Sequence, residues 1–254
     1  MHVVKIGGKL INDRSFLEAF LKAFADISGP KILIHGGGRK ATEISALLGI
    51  ETRMVEGRRI TNAETLEVAI MVYAGLINKT VVSQLQRMSI NAIGLSGADA
   101  DIVRAHKRPV KDINYGLVGD IDTINVDSLL SLSEAGFTPV ICAISHDGQG
   151  QLLNTNADTI AAQIAVALSS TMKVKLSYCF EYDGVLYDIN EPKLTMSAVS
   201  EGEFDDMKMS GSINSGMIPK LTNGFDALKG GVSEVSVCGI DNLSTKDRAT
   251  MLTL

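Results

Sequence analysis

Five short stretches of this 254-residue chain hold residue types that could meet an anion. Lys5 stands inside the apolar run His2-Val3-Val4-Lys5-Ile6, immediately before Gly7-Gly8. A lysine in a buried strand is costly unless something anionic meets it. Paired glycines let backbone N–H groups approach a ligand closely. The same pattern also suits an edge-strand lysine with a packed stem and a hydrated head. Gly36-Gly37-Gly38 follows a second apolar run, Lys31 to His35, and precedes a helix expected from about Arg39 to Leu48. Strand, glycine turn, helix points free N–H groups and a positive dipole end at an anion, although a plain tight turn has the same composition. The spacing is neither a Walker A loop nor a dinucleotide fingerprint. Arg58-Arg59 offers guanidinium clamps for a carboxylate or simply solvated charge. In Asn154-Thr155-Asn156-Ala157-Asp158, Asn156 can cap the next helix and Asp158 favours its dipole. Capping does not explain why two asparagines and an aspartate crowd one strand-to-helix loop. Finally, the small-residue loop Ser210 to Met217 leads to Lys220 at a helix start, again the composition of an anion site.

Alternating strands and helices must position these groups. Through the first 170 residues the pattern argues βαβ units and a mostly parallel sheet. Apolar spacing predicts helices over 16–27, 63–88, 126–134 and 159–168, and strands over 91–95, 139–144 and 174–180. Residues 101–106 and 115–121 read as a hairpin-like excursion that bends at Gly116 and Gly119. Thr61 and Asn62 are natural N-caps for the long helix Ala63 to Met88, with Glu64 completing a capping box from Thr61. That helix is apolar on more than one face, as befits one that crosses a domain or is shared with a partner subunit. Tyr182 to Leu186 is expected to turn into a short strand, 192–207 to be a polar, mobile connection, and 234–238 to be a last strand.

Composition narrows the class. The net charge is 24 − 29 = −5, which argues against a nucleic-acid surface. Hydrophobic residues make up 45%, enough for a sizeable core. No uninterrupted apolar run approaches the roughly 18 residues of a membrane span. Lys5, Lys9, Asp13 and Arg14 interrupt any signal-peptide core. Cys142, Cys179 and Cys238 are odd in number and far apart, the pattern of reduced core cysteines in a cytoplasmic protein.

Taken together, the motifs resemble the amino acid kinase family, in particular its members that phosphorylate N-acyl-glutamates. The matching pieces are Lys5-x-Gly7-Gly8, His35-Gly36-Gly37-Gly38, Gly57-x-Arg59-Ile60-Thr61 and Ala74-Gly75-x-x-Asn78-Lys79. Gly94-Leu95-Ser96-Gly97, Asn154-x-Asn156-Ala157-Asp158 and Gly216-Met217-x-x-Lys220 complete the series, in family order to about residue 225. The resemblance implies a three-layer αβα sandwich with a mostly parallel central sheet, the carbamate kinase-like fold. It implies an N-terminal lobe, 1–170, for the acyl amino acid and dimerisation, and a C-terminal lobe, 171–254, for ATP. The implied reaction is attack of an acyl-glutamate γ-carboxylate, N-acetyl-L-glutamate foremost, on the γ-phosphorus of ATP, a step of arginine biosynthesis.

The resemblance also implies roles. Lys5 and Lys220 neutralise the transferring group, and Asp158 holds them by ion pairing. Gly7, Gly8, Gly37 and Gly38 donate backbone N–H bonds. Arg59, Asn154 and Asn156 bind the acyl amino acid, and Tyr178, Asp183, Gly184, Ser212, Asn214 and Met217 the nucleotide. Mg²⁺ comes with the ATP rather than with a protein metal site, and the long helix makes a homodimer.

Departures from the family pattern leave room for alternatives. The segment Ser177 to Asp183 lacks the early aspartate and is longer than usual, which puts the base and ribose contacts in question. The strand at residue 2 leaves no arginine-sensing helix ahead of it, so feedback inhibition through such a helix is not expected. Arg58 stands where an apolar residue is usual; it is either surface charge or the partner of a further carboxylate, as on an N-succinyl group. A sister kinase of the same fold and a ligand sensor without catalysis are the other readings.

Overall fold

The computed structural model describes residues 1–55, 58–187, 194–213, 216–245 and 247–254. Gly57, Asn214 and Ser215, named above in the motifs and the loop, therefore lie outside the described residues. The chain divides into two compact units, one of residues 1–31 with 161–254 and one of residues 32–160.

In the first unit, strand His2–Ile6 pairs in parallel with Lys175–Cys179, which pairs in parallel with Glu234–Cys238. Thr250–Thr253 then runs antiparallel to Glu234–Cys238 and parallel to Ala198–Ser200. The five residues of His2–Ile6 are all buried, as expected for a parallel strand covered on both faces. Its polar members are accommodated in place: His2 Nε2 bonds Ser177 Oγ at 2.8 Å, and Ser177 Oγ bonds Ser236 Oγ at 2.8 Å across the neighbouring strand. Helix Arg14–Ala25 buries Leu17, Phe20, Leu21 and Phe24 as one stripe. Asp13 caps it by accepting from the backbone N–H groups of Ser15 and Phe16.

The expected polar connection over 192–207 is instead ordered where it is described. It holds strand Ala198–Ser200 and helix Glu201–Ser210, started by a complete capping box between Ser200 and Glu203. Two satisfied backbone donors and the burial of Val199 and of Phe204, stacked on Phe225 at 5.4 Å, stabilise a segment rich in polar residues. The short strand expected after Tyr182 reduces, among the described residues, to a single bridge between Leu186 and Thr195.

In the second unit, Lys31–His35 and Ala92–Leu95 flank Thr138–Cys142 in parallel. A smaller sheet carries Leu152–Asn154, Ile144–His146, Val103–Lys107 and Gly119–Ile124 in that order, the last pair being the expected hairpin. The long helix runs from Ala63 to Arg87, but its middle, Met71–Ile77, is π-helical between two α-helical arms. A π segment carries an extra residue per turn, so side chains beyond it are rotated relative to a continuous α-helix. The capping expectation is corrected. Asn62 alone is the N-cap, accepting from Thr65 N at 2.8 Å, while the Thr61 hydroxyl donates to Arg59 O. By length and composition this helix could cross a bilayer, yet half of its most apolar window is buried inside the protein. All three cysteines are buried and free, as expected.

Candidate functional site

A cleft of about 190 Å³ in the second unit gathers several of the residues singled out from the sequence. Gly36 to Gly38, Arg59 and Asn154 to Ala157 line it together. The glycine turn ends a buried strand and begins helix Gly38–Leu47, so its N–H groups are the unsatisfied donors of a helix start. Arg59 is only 8% exposed, and protein groups hold it. Its Nη2 donates to Gly38 O and Thr42 Oγ1, both at 2.8 Å, and Nη1 to Thr52 Oγ1 at 3.2 Å. A guanidinium has five donors, so such anchoring fixes its plane while leaving donors for a ligand carboxylate.

Asn154 is positioned from a distance in sequence. Its Nδ2 donates to Thr61 Oγ1 at 3.0 Å, which fixes the plane of an amide that also carries an acceptor oxygen. Thr61 in turn bonds Tyr115 and Leu117 through its backbone, and Asn154 N bonds Leu117 O. Residues near 60, 116 and 154 are thereby tied into one wall. Asn156 acts as the expected cap, its Oδ1 accepting from Asp158 N and Thr159 N. Asp158 is 6% exposed in the first turn of helix Ala157–Ser169.

Further residues line this cleft that sequence reasoning missed, among them Tyr73 and Arg108. Tyr73 sits on the π segment, and burial raises its phenol pKa, a rise that the Arg59 guanidinium opposes. Neither belongs to a recognisable motif. Only the fold brings them in.

Beneath the glycine turn lies a buried polar chain. His35 is fully buried and pairs through Nδ1 with Gly36 O at 2.8 Å, while Asn78 Nδ2 bonds His35 Nε2 at 3.1 Å and Val140 O at 2.9 Å. A neutral imidazole with its proton on Nδ1 satisfies both ring contacts. Burial, partly opposed by the Gly36 bond, lowers the His35 pKa to about 4. The unfolded imidazole titrates near 6.5, so the unfolded chain binds the extra proton between those values. Stability from this group is complete above pH 6.5 and is lost as pH falls toward 4. Between pH 7 and pH 4.5 the loss is about 2 kcal/mol. Urea denaturation of wild type and His35→Gln at both pH values should show their stability gap narrowing by about that amount on acidification. An unchanged gap would mean that the folded protein protonates His35 freely.

The first unit has its own cleft, of about 220 Å³. Gly7, Gly8, Ser212, Met217 and Lys220 line it, together with Phe180, Tyr182 and Ile213, which the sequence reading had not assigned to the nucleotide. Phe180 and Tyr182 meet edge to face at 5.7 Å, and the Lys9 ammonium lies 5.9 Å from the Tyr182 ring and 3.2 Å from Glu181. An aromatic-walled cleft with a lysine and a double-glycine turn suits a nucleotide base with its phosphates. Lys220 stands in the first turn of helix Ile218–Lys229, and Lys5 is 7% exposed within its strand. Tyr178, Asp183 and Gly184 do not line this cleft. Tyr178 is wholly buried with its ring toward Gly224, Asp183 accepts from Asn242 Nδ2 at 3.0 Å, and Gly184 packs on Thr250. Tyr178 lies on a strand buried on both faces from Leu176 to Cys179, whereas Phe180 and Tyr182, in the longer segment after it, line the cleft instead.

A family model, described as the amino acid kinase family, matches residues 1–239. The chain belongs to this family. It is accordingly a kinase, as the motif resemblance implied. It is 49% identical over 244 residues to the acetylglutamate kinase of Cytophaga hutchinsonii, covering 96% of this chain and 92% of that one. It is 50% identical over 235 residues to the acetylglutamate kinase of Bacteroides thetaiotaomicron, covering 92% and 91%. Among solved structures, the smu.665 protein of Streptococcus mutans UA159 superposes with a TM-score of 0.81 at 22% identity, covering 99% of this chain and 98% of that one. That likeness concerns the fold, and it agrees with the expected α/β class with its mostly parallel sheet.

Proposed function

We propose that this protein transfers the γ-phosphoryl group of ATP to the γ-carboxylate of an N-acyl-L-glutamate, with N-acetyl-L-glutamate the first candidate, as a step of arginine biosynthesis. The observation that carries this reading is the second unit's cleft, where glycine N–H groups, Arg59 and the acceptor oxygen of Asn154 line one space. An N-acyl amino acid presents an α-carboxylate and an amide N–H. Arg59 suits the first and Asn154 the second. The names of the relatives at about 50% identity point the same way.

In this reading the γ-carboxylate is already ionised at pH 7, so no general base is needed. Two anions must approach, and catalysis consists of positioning and charge neutralisation. Lys5 and Lys220 supply positive charge, Asp158 orients it, and Gly7, Gly8, Gly37 and Gly38 supply N–H donors. Mg²⁺ would come on the ATP phosphates, as is usual for phosphoryl transfer from ATP. When bound it would shield the phosphate charge. The base and ribose fall to Phe180, Tyr182, Ser212 and Met217. We place the protein in the cytoplasm as a homodimer through Ala63 to Met88, whose exposed Met71 and Leu76 suit a subunit contact.

The test is ADP release from Mg-ATP with N-acetyl-L-glutamate, N-succinyl-L-glutamate and L-glutamate supplied separately, the acyl phosphate being trapped by hydroxylamine. Hydroxamate from an N-acyl substrate and little from L-glutamate is the expected result. Turnover of L-glutamate alone would move the protein to a sister kinase, and ATP binding without any turnover to a sensor.

A further inference from the structure

The acyl-amino-acid cleft does not end at Arg58 and Arg108. These two residues also line a second, more open basin of about 590 Å³, together with His106, Lys111, Asp112, Tyr115 and Asp120. The two spaces therefore meet at a pair of guanidinium groups.

Arg108 is held unusually firmly for an arginine beside a cleft. Its Nε donates to both Asp120 oxygens, at 3.0 and 3.2 Å, and its Nη2 to Oδ1 at 2.5 Å, while the guanidinium lies 5.3 Å from the Tyr115 ring centre. One edge and one face are thus fixed. The remaining nitrogen, Nη1, is buried and has no hydrogen-bond partner among the described residues. A buried guanidinium nitrogen without an acceptor is costly, and the cost is removed when a ligand oxygen binds it. The other charges of the basin largely cancel. Asp120 is taken by Arg108, His106 pairs with Asp122 at 2.6 Å, and Asp112 offsets Lys111. Arg58 and the unpartnered Nη1 of Arg108 are left as the excess positive character.

The substrate's two carboxylates already have partners in the reading above, Arg59 for one and the transferring phosphoryl group for the other. An acetyl group, small and uncharged, uses neither the basin nor these two arginines. We propose that the acyl group this cleft accommodates is dicarboxylic, its far carboxylate bound by Arg58 and Arg108, as in an N-succinyl-L-glutamate. The inference rests on the acyl-glutamate reading and narrows it.

The experiment compares kcat/KM for N-succinyl-L-glutamate with that for N-butyryl-L-glutamate, which has the same chain length and an uncharged end, alongside N-acetyl-L-glutamate. Wild type should favour succinyl over butyryl by 10-fold or more. Arg108→Met should bring that ratio down at least 10-fold while changing butyryl turnover much less. Arg58→Leu, at an exposed side chain that is not needed for folding, should lower the ratio too. A wild-type ratio near one overturns the proposal, as does a ratio untouched by both substitutions. Turnover of acetyl and butyryl with that result would leave the kinase reading standing. Silence on all three overturns both.

Discussion

Lys220→Ala should lower kcat by about 10³-fold, and Lys5→Met by a similar factor, each with a native thermal transition. The physical basis is the charge of the reactants. An ATP γ-phosphate and a carboxylate repel, and the negative charge that moves to the leaving oxygen must be met by fixed donors; removing one such donor commonly costs 10²–10³ in rate, about 3–4 kcal/mol. Lys220 lines the first unit's cleft, so alanine there removes a charge at little cost in packing. Lys5 is 7% exposed, and methionine retains its buried stem while deleting the ammonium. Steady-state turnover paired with thermal denaturation separates the two effects. Near-normal kcat in either variant would remove that lysine from the reaction. A large loss of kcat together with a collapsed transition would point to a folding role.

Gly37→Ala should abolish detectable turnover, whereas Gly36→Ala, one residue earlier, should keep most of it. The difference is steric. A methyl group on Gly37 would stand 2.6 Å from both Ile77 Cδ1 and Tyr73 Cδ1, closer than carbon atoms tolerate. Both obstructing side chains are buried, at 7% and 4% exposure, on the π-helical segment, so the glycine turn has to move rather than its neighbours. Moving it withdraws the N–H donors of the helix start and the Gly38 carbonyl that holds Arg59. At Gly36 the added methyl meets only Ala157 Cβ at 3.6 Å, an ordinary contact. Michaelis constants for the acyl-glutamate, with ATP saturating, should rise by about 10²-fold or more for any residual Gly37→Ala activity. Equal behaviour of the two variants would mean that the close approach to Tyr73 has no bearing on the cleft.

Much of the site was legible from short-range chemistry. A glycine turn after a buried strand, a lysine within an apolar strand and an asparagine two residues before a helical aspartate announce themselves locally, because each solves a backbone or charge problem within a few residues. The capping box at Ser200–Glu203 was equally local and was passed over, the surrounding polar composition having suggested a loop. The Thr61 cap shows the opposite error. Thr61 has the right chemistry, but its backbone groups pair with Tyr115 and Leu117, its hydroxyl meets Arg59 O and the Asn154 amide, and Asn62 takes over the helix start. Competition between a local and a long-range partner cannot be judged from spacing alone.

By itself the sequence determined the α/β class, the strand–turn–helix order of the anion sites and the family. These depend on periodicity and on backbone freedom, which are properties of neighbouring residues. Tertiary structure alone decided that Tyr73 would reach the glycine turn through a π-helical segment, and that Tyr178 would enter the core while Phe180 and Tyr182 reached the cleft. It also decided that Arg108, pinned by Asp120 and Tyr115, would stand between a cleft and a basin. Each of these placements depends on which side of an element meets which distant neighbour, and a change of one residue in helical phase or strand register reverses it.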